Sequence, residues 1–336
     1  MTPGFTSRPT GWGGTPVEQP PLSQVEAAAE RCRDVVVRTP LVPLHSYESE
    51  SPLWLKPEIL QPTRSYKLRG VFNWAAGLSD DERAKGFSTH SAGNTAQALG
   101  HVARLCGTTA RSLLPDRTPP AKIEAIERYG VTPVVMTLDD LLDYIFHARW
   151  EEEPYSFLNP WADPQMIAGN ATLALEICQD LPTVRSVYVP VGGGGLIAGI
   201  GSVLKSLRPD VRVIGVQPAA CPALQASLAA GRPTWIDPEP TVCDTALPLV
   251  VDELFPLLSQ VVDEVVAVSE ESIKRAAILL AERNKLVVEA AGAMSVAAAL
   301  EQPEEPAGTA VCILSGGSIT LSRLQQWATE QDTDIS

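Results

Sequence analysis

The sequence predicts an α/β protein whose strands form mostly parallel sheets. Segments with strand character alternate with segments of helical periodicity, and glycine- or serine-rich loops stand directly after strands or before helices. Of the 336 residues, 45% are hydrophobic and 20% charged, which is an ordinary composition for a globular protein with a large core. Because alternating strands and helices place helices on both faces of a sheet, the pattern favours parallel strands buried on both sides.

The pattern begins with a leader and a capped helix. Residues 1–22 are rich in proline, glycine and threonine and contain no apolar core, so we expect a flexible leader rather than a signal peptide. Ser23 and Glu26 form the capping box expected at the start of an alanine-rich helix. The next predicted elements are a strand over 52–60, helices over 68–78, 95–106 and 121–130, and a strand over 131–136.

The alternation resumes after an acidic stretch near residue 152. It predicts helices over 172–179, 196–207, 270–284 (capped by Ser269) and 291–300, and strands over 184–191, 211–218, 261–269 and 308–317. Residues 186–204 are uncharged and long enough to suggest a membrane span. Four consecutive glycines within them favour a strand, a loop and a helix instead.

The net charge and the residue types that can bind metals limit the classes of function that the sequence allows. The net charge is −14 and the 26 Lys and Arg residues are scattered, which argues against a nucleic-acid or anionic-membrane surface. The six cysteines form no CxxC pair and the four histidines show no short ligand spacing, so we expect no metal site. These features favour a cytoplasmic enzyme that acts on a small molecule.

Three loops are candidate ligand-binding loops: SAGNTAQA at residues 91–98, the run Gly192–Gly195, and SGGS at residues 315–318. Open α/β sheets bind ligands at such loops. The run Gly192–Gly195 precedes a predicted helix, where backbone N–H groups can approach a phosphate or carboxylate. A nucleotide-binding lysine is missing from this loop, and Gln217 occupies the place of the acid that would bind a ribose. Phosphate binding is therefore the expectation.

Lys67 lies in the turn-forming stretch PTRSYKLRG, between the apolar neighbours Tyr66 and Leu68. Pyridoxal phosphate has an aldehyde, a phosphate and a ring nitrogen. A lysine can bind the aldehyde, the glycine amides can bind the phosphate, and the hydroxyl of Ser315 can contact the ring nitrogen. The motifs PTRSYKLRG, SAGNTAQA, VPVGGGGLIAGI, VVEAAGA and LSGGS resemble, in order and spacing, those of fold-type II pyridoxal-phosphate enzymes, in particular threonine/serine dehydratases and serine racemases. The resemblance covers the chain from Glu26 to Arg323.

This resemblance implies a fold like that of the tryptophan synthase β subunit, with two open, twisted, mostly parallel sheets flanked by helices. It implies a large cofactor-binding domain over residues 23–86 and 157–330. Residues 87–156 would form a small domain that closes on the substrate. It further implies pyridoxal 5'-phosphate as the cofactor and a homodimer as the assembly.

The resemblance also assigns roles to individual residues. Lys67 would form the Schiff base with the cofactor and remove the α-proton of the substrate, and burial beside Tyr66 would favour the neutral amine that this chemistry needs. Tyr66 would pack beside the cofactor ring. The phosphate would be bound by Gly192, Gly193, Gly194 and Gly195 and by the backbone amide of Leu196.

The other implied contacts come from three separate loops. Asn94 would bind the 3' oxygen of the pyridine ring, Ser315 would face its nitrogen, and Glu289 would orient the cofactor. A hydroxyl cannot keep that nitrogen protonated as a carboxylate would, which favours elimination over a long-lived carbanion. The substrate carboxylate would be bound at the start of a predicted helix by Ser91, Ala92, Gly93, Asn94 and Thr95.

Departures from the family pattern refine these expectations. Thr95 stands where relatives usually have histidine. Ala92 stands where related racemases have a proton-donating serine, so racemisation is disfavoured. The stretch after Gln217 lacks the acids that bind a divalent ion in many relatives, and we expect no metal there. Departures or pocket candidates without an assigned role are Arg64, Asn170, Ala171, Cys243 and Asp244.

The resulting hypothesis is a pyridoxal-phosphate-dependent ammonia-lyase that dehydrates and deaminates a β-hydroxy amino acid of the threonine or serine type to a 2-oxo acid and ammonia. Two alternatives within the same cofactor class stay open: a β-replacement synthase of the cysteine or threonine synthase type, and an amino-acid racemase. The intact lysine motif disfavours a further alternative, a non-catalytic amino-acid- or nucleotide-binding protein.

Overall fold

A computed structural model of the protein describes residues 15–45, 53–302 and 308–333. The strands in these residues alternate with helices along most of the chain, as predicted. Their bounds are β1 Val42–Pro43, β2 Leu53–Pro57, β3 Phe87–Thr89, β4 Ala110–Pro115, β5 Val131–Met136, β6 Ser156–Phe157, β7 Val184–Pro190, β8 Arg212–Pro218, β9 Glu264–Val268 and β10 Thr309–Leu314.

The helices cover both faces of the sheets, and several begin directly after a strand. Helix α11 continues as a π-helical turn over Leu280–Asn284. The helix bounds are α1 Leu22–Cys32, α2 Lys67–Gly77, α3 Asp80–Ala84, α4 Asn94–Leu105, α5 Pro120–Arg128, α6 Leu138–Phe146, α7 Pro164–Asp180, α8 Gly195–Leu207, α9 Ala223–Ala230, α10 Phe255–Val261, α11 Glu270–Leu279, α12 Ala290–Glu301 and α13 Leu321–Thr333.

In the part of the chain that the structure describes, the strands form two sheets. The larger has the order β1-β2-β10-β7-β8-β9 and is parallel except for the β1–β2 pair. The smaller has the order β5-β4-β3-β6 and is parallel throughout. This arrangement confirms the predicted fold class. The strands of the smaller sheet come from residues 87–157, and those of the larger sheet flank them in the chain.

The N-terminal predictions need correction. Helix α1 begins at Leu22 without a side-chain cap, so the capping box of Ser23 and Glu26 is wrong. The carbonyl oxygen of Pro21 accepts the N–H of Gln24 at 2.9 Å, which already places Ser23 inside the first turn. Pro21 occupies the N-cap position, and its side chain has no oxygen that could accept a backbone N–H, so the helix begins without the side-chain cap that we predicted.

The prediction of a flexible leader over residues 1–22 also needs correction from Val17 onward. Residues 1–14 lie outside the described residues. Val17 is buried and donates its N–H to the carbonyl of Glu253 at 2.8 Å, and the side-chain amide of Gln19 donates to the carbonyl of Ser202 at 2.9 Å. From Val17 onward the chain is therefore fixed against the core, and the leader prediction is wrong there because one buried valine anchors an otherwise polar segment.

Three predicted boundaries also shift. The helix predicted over 172–179 begins already at Pro164, because Asp163 caps it by accepting the N–H of Met166 at 2.9 Å. The strand predicted over 52–60 ends at Pro57 and gives way to a 3-10 turn over Glu58–Leu60. The strand predicted over 261–269 loses its first residues to α10 and to a short loop.

Glycines allow α2, α7 and α8 to cross very closely. A Cβ atom on Gly169 of α7 would clash with the carbonyl oxygen of Arg69 of α2, and one on Gly199 of α8 would lie 2.7 Å from the carbonyl oxygen of Ile167. Backbones can approach in this way only where side chains are absent. The crossings bring the N-termini of α2 and α8 to the carboxyl ends of the larger sheet, where open α/β sheets bind ligands.

None of the helices in the described residues is long and apolar enough to cross a membrane. The uncharged stretch 186–204 forms part of β7, the glycine loop and part of α8, as predicted.

Candidate active site

Lys67 is the first residue of α2 and is half-buried. It approaches Pro160, which follows β6 of the smaller sheet, and we refer to the region around this contact, between the loops of the two sheets, as the cleft. Its Nζ atom lies 3.4 Å from the carbonyl oxygen of Pro160, to which it donates, and 5.2 Å from the ring centroid of Tyr66. The helix N-terminus begins at this lysine without a capping side chain. The amine is therefore held by one backbone oxygen and one aromatic ring rather than by a carboxylate.

The turn before Lys67 is joined to the end of β10. The N–H of Tyr66 donates to the carbonyl of Ser315 at 3.1 Å, and Ser65 forms an antiparallel bridge with Gly316. On the other side, the N–H of Gly317 donates to the carbonyl of Arg64 at 2.9 Å. The structure thus brings Ser315, the expected partner of the pyridine nitrogen, next to the lysine turn.

Arg64 has a backbone conformation that glycine adopts more easily. Its φ angle is 60°, in the left-handed region, and its side chain is exposed. A non-glycine residue in this region is strained by about 1 kcal/mol. Glycine would suit this turn better, and the arginine is held in the left-handed conformation because both flanks of the turn are hydrogen-bonded to the loop after β10.

Asn94, Glu289 and Ser318 form one hydrogen-bonded group. The side-chain amide of Asn94 donates to the Glu289 carboxylate at 2.8 Å, and the hydroxyl of Ser318 donates to the Asn94 oxygen at 2.6 Å. A Cβ atom on Gly316 would clash with the same carboxylate, so this group lies against the Ser315 loop. The structure therefore brings together Asn94, Glu289 and Ser315, which stand far apart in the sequence.

The carboxyl group of Glu289 is the most strongly perturbed acid of this cleft. Burial, with a smaller contribution from the charge of Asp244, raises its pKa to about 7, while the side-chain amide of Asn94, the backbone N–H of Ser318 and the ammonium of Lys122 oppose the shift. The N–H of Glu289 donates to the carbonyl of Gly316 at 3.1 Å, which fixes the start of α12. Near neutral pH this residue therefore exists in both protonation states and can accept or donate a hydrogen bond.

We expect the stability of the cofactor-free protein to depend on pH through Glu289. Because the folded pKa of Glu289 is raised, the stability contributed by its neutral form is fully present below the ordinary pKa of about 4.3 and is lost as the pH rises through about 7. Relative to Glu289→Gln, the wild type should lose up to about 3 kcal/mol of unfolding free energy between pH 5 and 8. Urea unfolding at several pH values measures this difference.

The exposed Glu282 provides a matched control. Glu282→Gln should unfold with the same pH dependence as the wild type. Parallel stability curves for the wild type and Glu289→Gln would contradict the assigned role of burial.

The glycine run lies between β7 and α8. Gly194 has a φ angle of 93° and occupies the N-cap position of α8, which has no capping side chain. A Cβ atom on Gly192 would clash with the carbonyl oxygen of Thr245, and one on Gly193 would lie 2.6 Å from the Trp161 ring. The loop therefore tolerates no side chain at these positions, and the first amides of α8, including that of the buried Leu196, are available for an anion.

The expected substrate loop lies at the N-terminus of α4, which begins at Asn94 and also has no capping side chain. The Ser91 hydroxyl accepts the N–H of Gly93 at 3.2 Å, and the N–H of Ser91 donates to the hydroxyl of Ser112 at 2.9 Å. Ala92 packs against the core cluster around α4, and Thr95 is buried. The loop is thus preorganised from within, as carboxylate binding by backbone amides requires.

The segment that joins Lys67 to the glycine loop was not predicted from the sequence. Pro160 accepts from the lysine, and the next residue, Trp161, lies against Gly193 and Gly195. The Asn159 side chain accepts the N–H groups of Trp161 and Ala162 at 3.0 and 3.3 Å, which fixes this turn. An asparagine directly before Pro-Trp is a turn signal that could have indicated the segment, although not its location.

A second missed feature spans the cleft. Lys122 of α5 forms an ion pair of 2.9 Å with Asp244, which precedes the Thr245 carbonyl that lies over Gly192. Asp244 had no assigned role from sequence, and Cys243 beside it is buried. The pair connects the smaller-sheet side of the cleft to the loop that covers the glycine run.

We expect Lys122→Met to raise KM by a few-fold while changing the free energy of unfolding by less than about 1 kcal/mol, since exposed ion pairs contribute little to stability. KM should rise because this ion pair then no longer joins the two sides of the cleft beside the site. Steady-state kinetics at low and high salt measure the effect. Asp244→Asn should behave alike, and the double variant should add nothing; additive effects would contradict a role of the pair.

The structure places two further positions that were singled out from the sequence. The Gln217 side-chain oxygen accepts the N–H groups of Leu224 and Gln225 at 2.9 and 3.2 Å and thereby caps α9. Asn170 is buried beside Gly70, and its Oδ1 atom has no hydrogen-bond partner among the described residues.

Within the described part of the chain, no group of three or more His, Cys, Asp or Glu side chains is arranged to bind a metal ion.

The residues present fit pyridoxal phosphate. An uncapped helix N-terminus behind glycines suits the phosphate, and a half-buried amine without a carboxylate partner suits the aldehyde. A family model described as pyridoxal-phosphate dependent enzyme matches residues 33–316. The chain belongs to this family, and its cofactor is pyridoxal 5'-phosphate.

Two named relatives are similar to the chain over most of its length. The chain is 38% identical over 311 residues to the L-threonine ammonia-lyase of Geobacter sulfurreducens, covering 90% of this chain and 77% of the relative. It is 37% identical to the catabolic L-threonine dehydratase of Escherichia coli K12, covering 91% and 95% of the two chains. Both likenesses extend over nearly the whole described structure.

Solved structures give the same result for the fold. A threonine deaminase from T.th. superposes with a TM-score of 0.82 at 33% identity, covering 90% of this chain and 99% of the other. The serine racemase of Dictyostelium discoideum superposes with a TM-score of 0.80 at 29% identity, covering 90% and 100%. The fold-type II architecture predicted from sequence is therefore confirmed.

Proposed function

We propose that the protein is an ammonia-lyase that converts a β-hydroxy amino acid of the threonine or serine type to a 2-oxo acid and ammonia. One observation supports the proposal: a chain of contacts joins the predicted site residues. Lys67 contacts Pro160, whose neighbour Trp161 lies against the glycine run. The lysine turn and the Asn94–Glu289 pair both lie against the loop of Ser315 and Gly316. The names of the relatives that match 90% or more of the chain support the reaction class.

Each group in the cleft then has a defined task. Bound pyridoxal phosphate supplies an aldehyde for the substrate amine and a ring that accepts the electrons of the Cα–H bond. Lys67 receives the α-proton, and its position beside the Pro160 carbonyl holds the amine at the edge of the cleft. The loop of residues 91–95 would bind the substrate carboxylate at the N-terminus of α4, where the amides of Ser91 and Gly93 donate to hydroxyls that hold the loop and the other amides would face the carboxylate.

The other side chains would hold the cofactor in position. Asn94 would bind the 3' oxygen of its ring, and Glu289 holds the Asn94 amide by accepting from it at 2.8 Å. Ser315, directly after β10, would contact the pyridine nitrogen, and Tyr66 would pack beside the ring. The amides of Gly192–Gly195 and Leu196 would bind the phosphate. A division into a large cofactor-binding part, residues 23–86 and 157–330, and a small closing part, residues 87–156, completes this proposal.

The test is a panel of β-hydroxy amino acids assayed for both 2-oxo acid and ammonia. We expect both products in equal amounts from threonine or serine, and no significant D-amino acid, because Ala92 has no proton to donate. Exclusive formation of the D-amino acid would instead establish a racemase. Product formation only in the presence of a second nucleophile would establish a β-replacement synthase.

A homodimer in the cytoplasm is also part of the proposal. Light scattering of the purified holoenzyme gives the assembly, with twice the chain mass as the expected result.

A further inference from the structure

A cluster of buried charges lies directly behind the lysine turn. Arg69 of α2, Glu58 of the 3-10 turn and Lys56 of β2 are each at most 1% exposed, and Glu176 of α7 is 12% exposed. Two positive and two negative side chains balance one another in this cluster. At its edge Lys56 also lies 4.0 Å from Asp180, whose carboxylate pairs with the more exposed Arg38, so this outer pair adds no net charge. Charges this deeply buried are tolerated only when they are paired and hydrogen-bonded.

Arg69 is the centre of this cluster. Its Nε and one terminal nitrogen donate to the Glu58 carboxylate at 2.7 and 2.8 Å, and its terminal nitrogens donate to Glu176 at 2.6 and 3.1 Å. The Thr172 hydroxyl accepts a further bond at 3.1 Å. The planar guanidinium thus connects α2 to the 3-10 turn and to α7 at once, which an ammonium group cannot do with the same geometry. We call Arg69, Glu58 and Glu176 the Arg69 clamp.

Lys56 belongs to the cluster but not to the clamp. Its ammonium lies 2.6 Å from Glu176 and donates to the carbonyl of Thr39 at 2.6 Å. It is attached to β2 and makes no contact with α2 in these interactions. The cluster therefore contains one buried cation that holds the helix of Lys67 and one that does not.

The first turn of α2 depends on the clamp. The helix starts at Lys67 with no capping side chain, and Arg69 lies in the same turn, two residues further on. On the next residue, a Cβ atom at Gly70 would lie 2.7 Å from the Asn170 oxygen, so α2 is pressed against α7 at this point. Burial alone would lower the pKa of Arg69, but Glu58 and Glu176 outweigh it and raise the pKa, so the clamp stays charged.

We propose that Arg69 is a positioning residue: the Arg69 clamp fixes the first turn of α2 and thereby the approach of the Lys67 amine to the aldehyde carbon of pyridoxal phosphate. In that step the neutral amine nitrogen adds to the aldehyde carbon, its two protons pass to the aldehyde oxygen, and this oxygen leaves as water as the C=N bond forms. The inference rests on the proposed role of Lys67. A displacement of about 1 Å can slow such a step by about 100-fold.

The experiment distinguishes a loss of positioning from a loss of stability. It compares variants in which the buried charges of the cluster are balanced with variants in which they are not. Arg69→Met alone leaves Lys56 with two carboxylates, an unbalanced buried charge that should lower stability strongly. Adding Glu58→Gln leaves one cation, Lys56, and one carboxylate, Glu176, so the double variant should regain much of the lost stability without regaining the clamp. Lys56→Met is the matched control, since it unbalances the cluster but leaves every Arg69 contact in place.

The readout is the absorbance band near about 410–420 nm that appears when the cofactor-free protein captures pyridoxal phosphate through a lysine amine. We expect the double variant to capture the cofactor about 10- to 100-fold more slowly than the wild type at a temperature where both are folded. Lys56→Met should lose thermal stability but capture at a rate within about two-fold of the wild type. Arg69→Lys, which keeps the charge, should fall between the wild type and the double variant.

Wild-type rates in the double variant, or in Arg69→Lys if the double variant does not fold, would overturn the inference. Slow capture by Lys56→Met, in proportion to its loss of stability, would also overturn it. Failure of the proposed function looks different: the wild type itself would show no band, or Lys67→Ala would retain it.

Discussion

Lys67→Ala is expected to abolish turnover, with kcat/KM falling by at least about 10⁴-fold, because the variant loses both the amine that binds the cofactor and the base that takes the α-proton. The structure offers no substitute nearby: the Nζ atom contacts a backbone carbonyl and an aromatic ring rather than another amine. Assays of 2-oxo acid and ammonia measure the loss. Absorbance near about 410–420 nm should disappear in parallel.

Lys85 provides the control for this prediction. It is exposed at the C-cap of α3, outside the cleft, so Lys85→Ala should keep both the activity and the absorbance band. Residual turnover above about one hundredth of wild type in Lys67→Ala would contradict the assignment of Lys67.

Gly192→Ala is expected to weaken pyridoxal phosphate binding by at least about 100-fold, equivalent to about 2.8 kcal/mol. The added methyl group would clash with the Thr245 carbonyl, a backbone atom that cannot rotate away. The loop must shift to relieve the clash, and the amides that bind the phosphate then lose their alignment. Titration of the cofactor-free protein with pyridoxal phosphate gives the dissociation constant.

Gly77→Ala adds the same methyl group where no atom lies within 4 Å of its position, so binding should equal that of the wild type. Equal affinity of Gly192→Ala and Gly77→Ala would contradict the assigned role of the glycine run. Circular dichroism of both variants shows whether the fold is intact.

Parts of the site could be predicted because short motifs make strong local demands. The glycine run, the helix start at Asn94 and the lysine turn each have a sequence pattern that only a few backbone conformations satisfy. The contacts of Pro160, Trp161 and Ser318 could not be predicted, because each depends on which loops the fold brings together. The Lys122–Asp244 pair is of the same kind, since its members come from opposite sides of the cleft.

In the fold, too, local patterns were predictable and contacts between distant segments were not. Alternating strands and helices predicted parallel sheets, but not that β10, the last strand, lies between β2 and β7. Local pattern also failed at the chain start, where a single buried residue, Val17, anchors a segment of polar composition. In α7, Gly169 and Asn170 interrupt the helical pattern, although the close crossing with α2 requires a glycine there.

Gln217 shows how a departure from the family pattern can have a structural use. The amide oxygen of this side chain caps α9 by accepting two backbone N–H groups, as a carboxylate could also do. A neutral cap gives no charge to attract a cation, which agrees with the absence of acids in the residues that follow it in the sequence.

The bridge between Ser65 and Gly316 joins the first quarter of the chain to the loop directly after β10. During synthesis, the lysine turn therefore emerges long before the segment that completes it. Contacts between such distant residues form late in folding, because a long loop must be closed first. Uptake of the coloured cofactor by a refolding chain should consequently mark the end of folding rather than its beginning, and a chain that stops before β10 should stay colourless.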